Sequence, residues 1–262
     1  MTLTGDMLIG SSSLPASDGT MKALNPATGQ QIEPDFALGG PAEVDRAARL
    51  ADEAFDSYNR TGLKERAAFL ELIADHLEGI NRELAERAAL ETGLPPAQLQ
   101  AEATKTAVQF RQFAEVVSQG RFRHATLDPA QPQRLPQPRM DHRMQKIAIG
   151  PVAIFGASNF PISYSVAGGD AARLLPILER RTGRIVVNAF AQPQEVGHAT
   201  IHGGPFPATT DSRFTSVGMD AIDRFLRPVT YQGFPDALLP DALAADNPLG
   251  LSRLVDGHLT RD

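Results

Sequence analysis

Residues 146–170, KIAIGPVAIFGASNFPISYSVAGGD, constrain the fold more than any other stretch of the chain. Residues 147–155 form its most strand-like run, β-branched and aromatic apart from Gly150-Pro151. A tight turn follows, Gly156-Ala157-Ser158-Asn159-Phe160-Pro161. Pro161 suits a first helical turn, and Ser158 or Asn159 can cap it. Strand, turn and helix are therefore expected in that order. Ligands of open α/β sheets sit beyond the carboxyl ends of strands, where this turn falls. The glycines do not fit GxGxxG, so that nucleotide fingerprint is absent. The plain alternative is a generic capped turn.

The second half of the unit comes next. Residues 173–184, RLLPILERRTGR, carry an apolar face of Leu174, Leu175, Ile177 and Leu178, and Thr182-Gly183 ends that helix. Residues 185–190, IVVNAF, read as a second buried strand. Together these predict a βαβ unit with a parallel crossover.

Four helices are expected before it. Gly39-Gly40-Pro41 opens the first, with Val44, Ala47, Ala48, Ala51, Phe55 and Tyr58 at helical spacing. Gly62 separates it from a second, over 63–78, whose stripe is Leu70, Ile73 and Leu77, continued by Ile80. A third carries Leu84, Ala88 and Leu90 and stops at Thr92-Gly93, before Pro95-Pro96. The fourth runs over 97–118, with Leu99, Ala103, Thr106, Phe110, Phe113 and Val117 on its buried side. Each stripe predicts helix-on-helix core. Ahead of them, residues 7–22 read as an extended lead-in and Asn25-Pro26-Ala27-Thr28-Gly29 as a turn. Pro129, Pro132, Pro136 and Pro138 exclude a central strand over 128–143 and predict a linker or an extended arm. After residue 192 the chain is irregular. A helix over 220–225 and a short exposed strand over 227–232 are expected there, the strand open to pairing with another chain.

Composition narrows the function. In 262 residues there is no cysteine, which removes disulfides, thiolate metal ligands and thiol nucleophiles together. Acids exceed bases by six, so a nucleic-acid backbone is not an expected partner. Arg121-Phe122-Arg123-His124 is a local basic stretch, best read as a solvated patch. No apolar run is long enough for a bilayer, and residues 1–13 lack the pattern of a signal peptide. A cytoplasmic location without membrane contact is the expectation. His198 and His202 stand four apart, as two metal ligands on one helix face would, but Gly197, Gly203 and Gly204 argue against a helix. Ser212, Asp211 and His202 could be imagined as a hydrolase triad, without a GxSxG elbow to support it.

GPVAIFGASNFP, the AGGD after it and the NPATG turn resemble the aldehyde dehydrogenase superfamily, in particular its α-ketoglutarate semialdehyde (2,5-dioxovalerate) branch. HGGPFPAT, DSR, TSVG, AIDRFLRPV and the tail over 238–262 resemble the carboxyl end of the same branch. These two blocks are not neighbours in that family, so the resemblance implies a long internal deletion near Ala172/Arg173. The implied fold is α/β: a truncated dehydrogenase fold with an amino-terminal helical cluster, a reduced Rossmann-like βαβ unit and a carboxyl-terminal oligomerisation arm. The corresponding segments are 1–145, 146–190 and 191–262.

The resemblance also implies a chemistry. A thiolate adds to an aldehyde, an asparagine amide holds the resulting oxyanion, hydride passes to NADP or NAD, and a carboxylate activates water against the thioester. Asn159 matches the oxyanion donor, and Phe155, Gly156, Ala157, Ser158 and Asn159 match the cofactor-side turn. Phe160 matches a wall of the substrate tunnel. Nothing matches the nucleophile, the base glutamate or the lysine that holds the adenosine ribose. An arginine-bearing GERGRT-like patch of this branch aligns with Ala101-Glu102-Ala103-Thr104-Lys105-Thr106, where Lys105 stands for one arginine and the other is gone. Lysine is a poorer bidentate partner for a substrate carboxylate. The resemblance thus implies a small aldehyde as substrate and a homo-oligomer as assembly, but a chain inactive as it stands. A non-catalytic binding or assembly module is the other reading.

Overall fold

The computed structural model describes residues 3–154, 164–166, 175–176, 178–180, 182–187, 196–205 and 208–261. They form two compact units, one of residues 1–114 with 150–152, the other of 115–149 with 153–262.

In the first unit, β1 (Met7–Ile9) and β2 (Ser12–Leu14) pair as a short hairpin. β3 (Thr20–Asn25) and β4 (Gln30–Ala37) form a longer one. The expected Asn-Pro turn closes it: Gly29 N–H donates to the Asn25 carbonyl at 2.8 Å and Ala27 N–H to Asn25 Oδ1 at 2.9 Å. So the lead-in is not merely extended; its Ser and Thr pair across two hairpins.

Four helices follow: α1 (Pro41–Asn59), α2 (Leu63–Gly79), α3 (Asn81–Thr92) and α4 (Pro96–Gln119). Local chemistry sets their ends. The Glu43 carboxylate accepts the Gly40 N–H at 2.9 Å and Glu65 accepts that of Gly62 at 3.2 Å, so acids in the first turn hold orphan donors. Gly93 ends α3 at φ 72°, a left-handed conformation that is costly for a residue with a Cβ.

The packing differs from the expected stripes. Alanines make up most of the buried set, Ala67, Ala74, Ala85, Ala103, Ala107 and Ala114, with Leu63, Val116 and Val117; of the stripe expected on α4, Ala103 and Val117 are buried. Val44 is 67% exposed, no residue of α1 is buried, and Tyr58, Ile80, Leu84 and Leu90 also face solvent. Polar ties add to the packing. Asn81 donates to the Gln100 carbonyl at 3.2 Å and to Thr104 Oγ1 at 3.0 Å. Arg111 bridges Asp75 and Glu78 at 2.7 Å each.

The second unit holds a five-stranded mixed sheet. Its strands are β5 (Thr126–Asp128), β6 (His142–Ala148), β9 (Leu226–Gln232), β10 (Arg253–Val255) and β11 (His258–Thr260), in the order β11-β10-β5-β6-β9. Only β10 and β5 run parallel. Two further strands, β7 (Tyr164–Val166) and β8 (Ile185–Val187), pair in parallel with each other.

The expected strand over 147–155 is displaced. β6 ends at Ala148 because its whole length, His142 to Ala148, is matched against β9. Gly150 then takes φ 134°, Pro151 offers no N–H, and Ile154 is 90% exposed. The β-branched run past the proline never enters a ladder among the described residues. The helix expected after the turn, over 163–181, does not hold at its start, since Tyr164–Val166 is a strand. The parallel partner of Ile185–Val187 is therefore β7 and not residues 147–155. Among the described residues of this segment, helical bonding is present where Glu179 N–H reaches the Leu175 carbonyl at 3.0 Å and Thr182 that of Leu178 at 2.9 Å.

The four prolines lie outside both flanking strands, as expected. Arg139 pins their loop, donating to the Pro129 carbonyl at 2.7 and 3.0 Å. The expected helix over 220–225 is a 3-10 segment, Met219–Phe225, and the exposed strand is β9, an edge of the sheet.

Register sorts the sheet's side chains by face. Leu127, Arg143, Tyr231 and Val255 align on one face. There Leu127, with Ala125, packs under Leu239 and Leu243 from the 3-10 turns near the carboxyl end, with Tyr231 and Val255 at the margin. Arg143 Nη1 donates to the Leu243 carbonyl at 2.6 Å. Arg253, 2% exposed, donates to the carbonyls of Ala244 and Ala245. The other face aligns Leu259, Leu254, Thr126, Met144 and Thr230, one from each strand.

Candidate functional site

Phe155, Gly156, Ala157, Ser158, Asn159 and Phe160, the residues expected to carry cofactor and oxyanion contacts, lie outside the described residues. Lys105 is described. It stands exposed on α4, after Thr104, whose hydroxyl donates to the Gln100 carbonyl at 3.0 Å, and before Thr106, whose hydroxyl donates to Glu102 at 3.0 Å. Both threonines are thus turned back onto the helix and offer little to a ligand beside Lys105.

The histidine constellations resolve differently from either imagined site. Gly197, His198 and Ala199 form a turn, and His202 lies in irregular backbone, so helical spacing does not operate between the two imidazoles. Among the described residues no three His, Asp or Glu side chains are grouped to hold a metal ion. Asp211 is engaged by Arg213, at 2.9 Å to Oδ1 and 2.6 Å to Oδ2. The Arg213 guanidinium and backbone N–H, both hydrogen-bonded to it, hold the Asp211 carboxyl down at about 2. That carboxylate is not orienting His202. The serine beside His202 Nδ1 is Ser216, at 3.2 Å, and its hydroxyl donates to the His202 carbonyl at 2.9 Å. A hydroxyl committed to a backbone acceptor is poorly placed for attack.

One cluster was invisible in sequence. Asp223, in the 3-10 segment, lies 3.0 Å from Lys146 Nζ and 3.6 Å from His124 Nε2. His124 also lines a cavity of about 510 Å³, with Arg121, Thr126, Ser252 and the apolar Met144, Leu254, Leu259 and Ala125. The basic stretch at 121–124 was legible, but only as a patch. Its apolar companions Met144, Leu254 and Leu259 come from three strands, β6, β10 and β11, which register joins through β5 although they lie more than a hundred residues apart in part, so no local spacing announces them.

Comparison with known proteins gives a consistent picture. The family profile described as "Aldehyde dehydrogenase family" matches residues 14–172, more than half of the chain. Its end falls at the junction that sequence motifs place near Ala172/Arg173. Alpha-ketoglutaric semialdehyde dehydrogenase 2 of Azospirillum brasilense is 52% identical over 176 residues, covering 67% of this chain and 34% of its own length. Alpha-ketoglutaric semialdehyde dehydrogenase of Acinetobacter baylyi is 42% identical over 171 residues, covering 65% and 32%. The chain therefore spans about a third of the length of these curated relatives. Among solved structures, a NAD-dependent benzaldehyde dehydrogenase from Corynebacterium glutamicum superposes with a TM-score of 0.47 at 23% identity, over 56% of this chain and 30% of the other.

Proposed function

Since the chain belongs to the aldehyde dehydrogenase family, we propose that it descends from an enzyme oxidising α-ketoglutarate semialdehyde, or a similar short aldehyde, to the acid, and that by itself it does not catalyse that oxidation. The substrate class rests on the two semialdehyde dehydrogenases to which it is similar. The observation that carries the loss of activity is the absence of any cysteine in the chain.

The physical argument is short. Oxidation by this route needs a covalent hemithioacetal, hence a thiolate. Asn159, with its amide as oxyanion donor, would supply electrostatic stabilisation to an adduct this chain has no sulfur to form. Phe160 and Lys105 would bound and attract a carboxylate-bearing aldehyde, Lys105 as a point charge and not a fork. NADP or NAD, where bound, supplies the hydride acceptor, and the turn over 155–159 is the segment offered to it. The residues that would hold the coenzyme lie outside the described ones, so no step is derived through it.

A second reading is favoured by β9, a strand of seven residues that among the described residues lies at the sheet's edge, paired on one side only. Unpaired N–H and carbonyl groups along such an edge invite another strand. A homo-oligomeric assembly module, acting in the cytoplasm, fits that feature together with the segments 1–145, 146–190 and 191–262.

Purified full chain incubated with α-ketoglutarate semialdehyde and either coenzyme separates these readings. No production of reduced nicotinamide is expected, at any coenzyme concentration. Sustained turnover by protein free of contaminating dehydrogenase would overturn the proposal. Light scattering on the same sample reads the assembly state.

A further inference from the structure

We propose that the open face of the five-stranded sheet binds a small amphipathic monoanion, an aliphatic carboxylate of medium length, with its head at Arg121 and its tail across the strands.

The tail subsite follows from register. Leu259, Leu254, Thr126 and Met144 stand opposite one another on β11, β10, β5 and β6, and so share one face. Four neighbouring strands at the usual spacing span roughly 14 Å, so an extended acyl chain of medium length fits within the row. Leu254 and Leu259 remain 42% and 74% exposed, so this row is apolar surface held against water. The cavity over it, about 510 Å³, is of the size that small ligands occupy.

The head subsite follows from charge. Arg121 and His124 lie just before β5, and Ser252 just before β10; these two strands run parallel, so their amino ends meet at one rim of the cavity. Arg121 has no ion-pair partner among the described residues. His124 is attracted from its other side by Asp223 at 3.6 Å. Ser252 Oγ accepts from Arg261 Nε at 3.3 Å, which leaves its own proton to donate. Thr126 Oγ1 is turned to the His124 carbonyl at 3.2 Å and contributes its methyl to the floor. A guanidinium fork with a hydroxyl beside it matches a planar carboxylate better than a neutral head.

Calorimetric titration of the full chain with sodium octanoate, hexanoate, acetate and octanol tests this. Octanoate is expected to bind, with affinity rising about two- to fourfold per methylene along the acid series. Octanol should bind at least about tenfold more weakly than octanoate. Arg121→Ala should weaken octanoate by about tenfold or more and leave octanol unchanged, while Arg121→Lys should fall between. Leu254→Asp should abolish binding of both. Circular dichroism and thermal melting establish that each variant is folded; should one unfold, Ser252→Ala and Leu259→Asp report on head and tail separately. Equal affinity for octanol and octanoate, indifference to Arg121→Ala and Arg121→Lys, or no octanoate binding at millimolar concentration overturns the site. Concentration-dependent self-association that Leu254→Asp removes would give the face to a second copy of the chain, and overturns it equally.

Discussion

The two faces of the five-stranded sheet are built by alternate residues of the same strands and have opposite fates. On one, Leu127 packs beneath Leu239 and Leu243, and Arg143 and Arg253 hold backbone carbonyls of the segment above. On the other, Leu254 and Leu259 lie open, and Arg121 reaches no carboxylate among the described residues. Hydropathy does not distinguish the leucines, nor charge the arginines. What separates them is the cover supplied by residues 236–247, so burial here is set by the carboxyl-terminal turns and not by the strands themselves. Stability should concentrate on the covered face and leave the other free to vary.

Leu243→Ala is the strongest way to break that contrast. Leu243 is 0% exposed, and its truncation should cost about 2–4 kcal/mol through lost burial and an unfilled cavity. Leu259→Ala, on the open face, should change stability by less than about 0.5 kcal/mol. Urea unfolding of the two variants measures both. Equal losses would mean that the open face is covered in solution.

Arg253→Ala comes next. Burial, and after it the neighbouring Arg143, lower the Arg253 guanidinium from its ordinary value, so its environment disfavours the charge it carries. The charge is retained because its donors serve the carbonyls of Ala244 and Ala245. Removing it should cost about 1–3 kcal/mol, the penalty of buried acceptors deprived of donors. Arg121→Ala should be near neutral in the same assay, within about 0.5 kcal/mol.

The same contrast explains what the sequence made legible. Helices α1 to α4 were readable nearly end to end, because Gly40-Pro41, Gly62 and Gly93 act on the residues beside them. Which helical residues are buried was legible only in part: Ala103 and Val117 are buried as their spacing implies, whereas Val44 and Tyr58 are exposed, because burial depends on what the rest of the chain lays against each helix. The Asn-Pro turn between β3 and β4 was readable for the same local reason. The sheet was not: Thr126 meets Leu254, and Lys146 meets Pro228, through pairings that no window of sequence contains. β6 begins five residues before the expected run and stops at Ala148, because its partner β9 fixes its extent. Of the proposed site, Lys105 is placed on an exposed helix turn, whereas Asn159 and its neighbours were legible by motif alone.

The smallest effect sharpens the comparison by moving it to a surface pair. Arg213 binds a carboxylate, Asp211, where Arg253 binds carbonyls. Arg213, first through its side chain, depresses the Asp211 carboxyl to about 2. A carboxyl lowered in the folded state stabilises it above the unfolded carboxylate pKa. That contribution is lost as pH falls from the ordinary carboxylate range, near 4, through about 2. Because the pair is fully exposed, its contribution should be slight and should shrink further in salt. NMR titration of the Asp211 carboxyl carbon should show the depressed midpoint, and Arg213→Ala should return it to the ordinary range. An unshifted midpoint in the unsubstituted chain would show that the surface arginine is not held to its partner in solution. The Arg253 hydrogen bonds to the Ala244 and Ala245 carbonyls, whose acceptors do not titrate, should persist through the same acid range in which the Asp211 pair is lost.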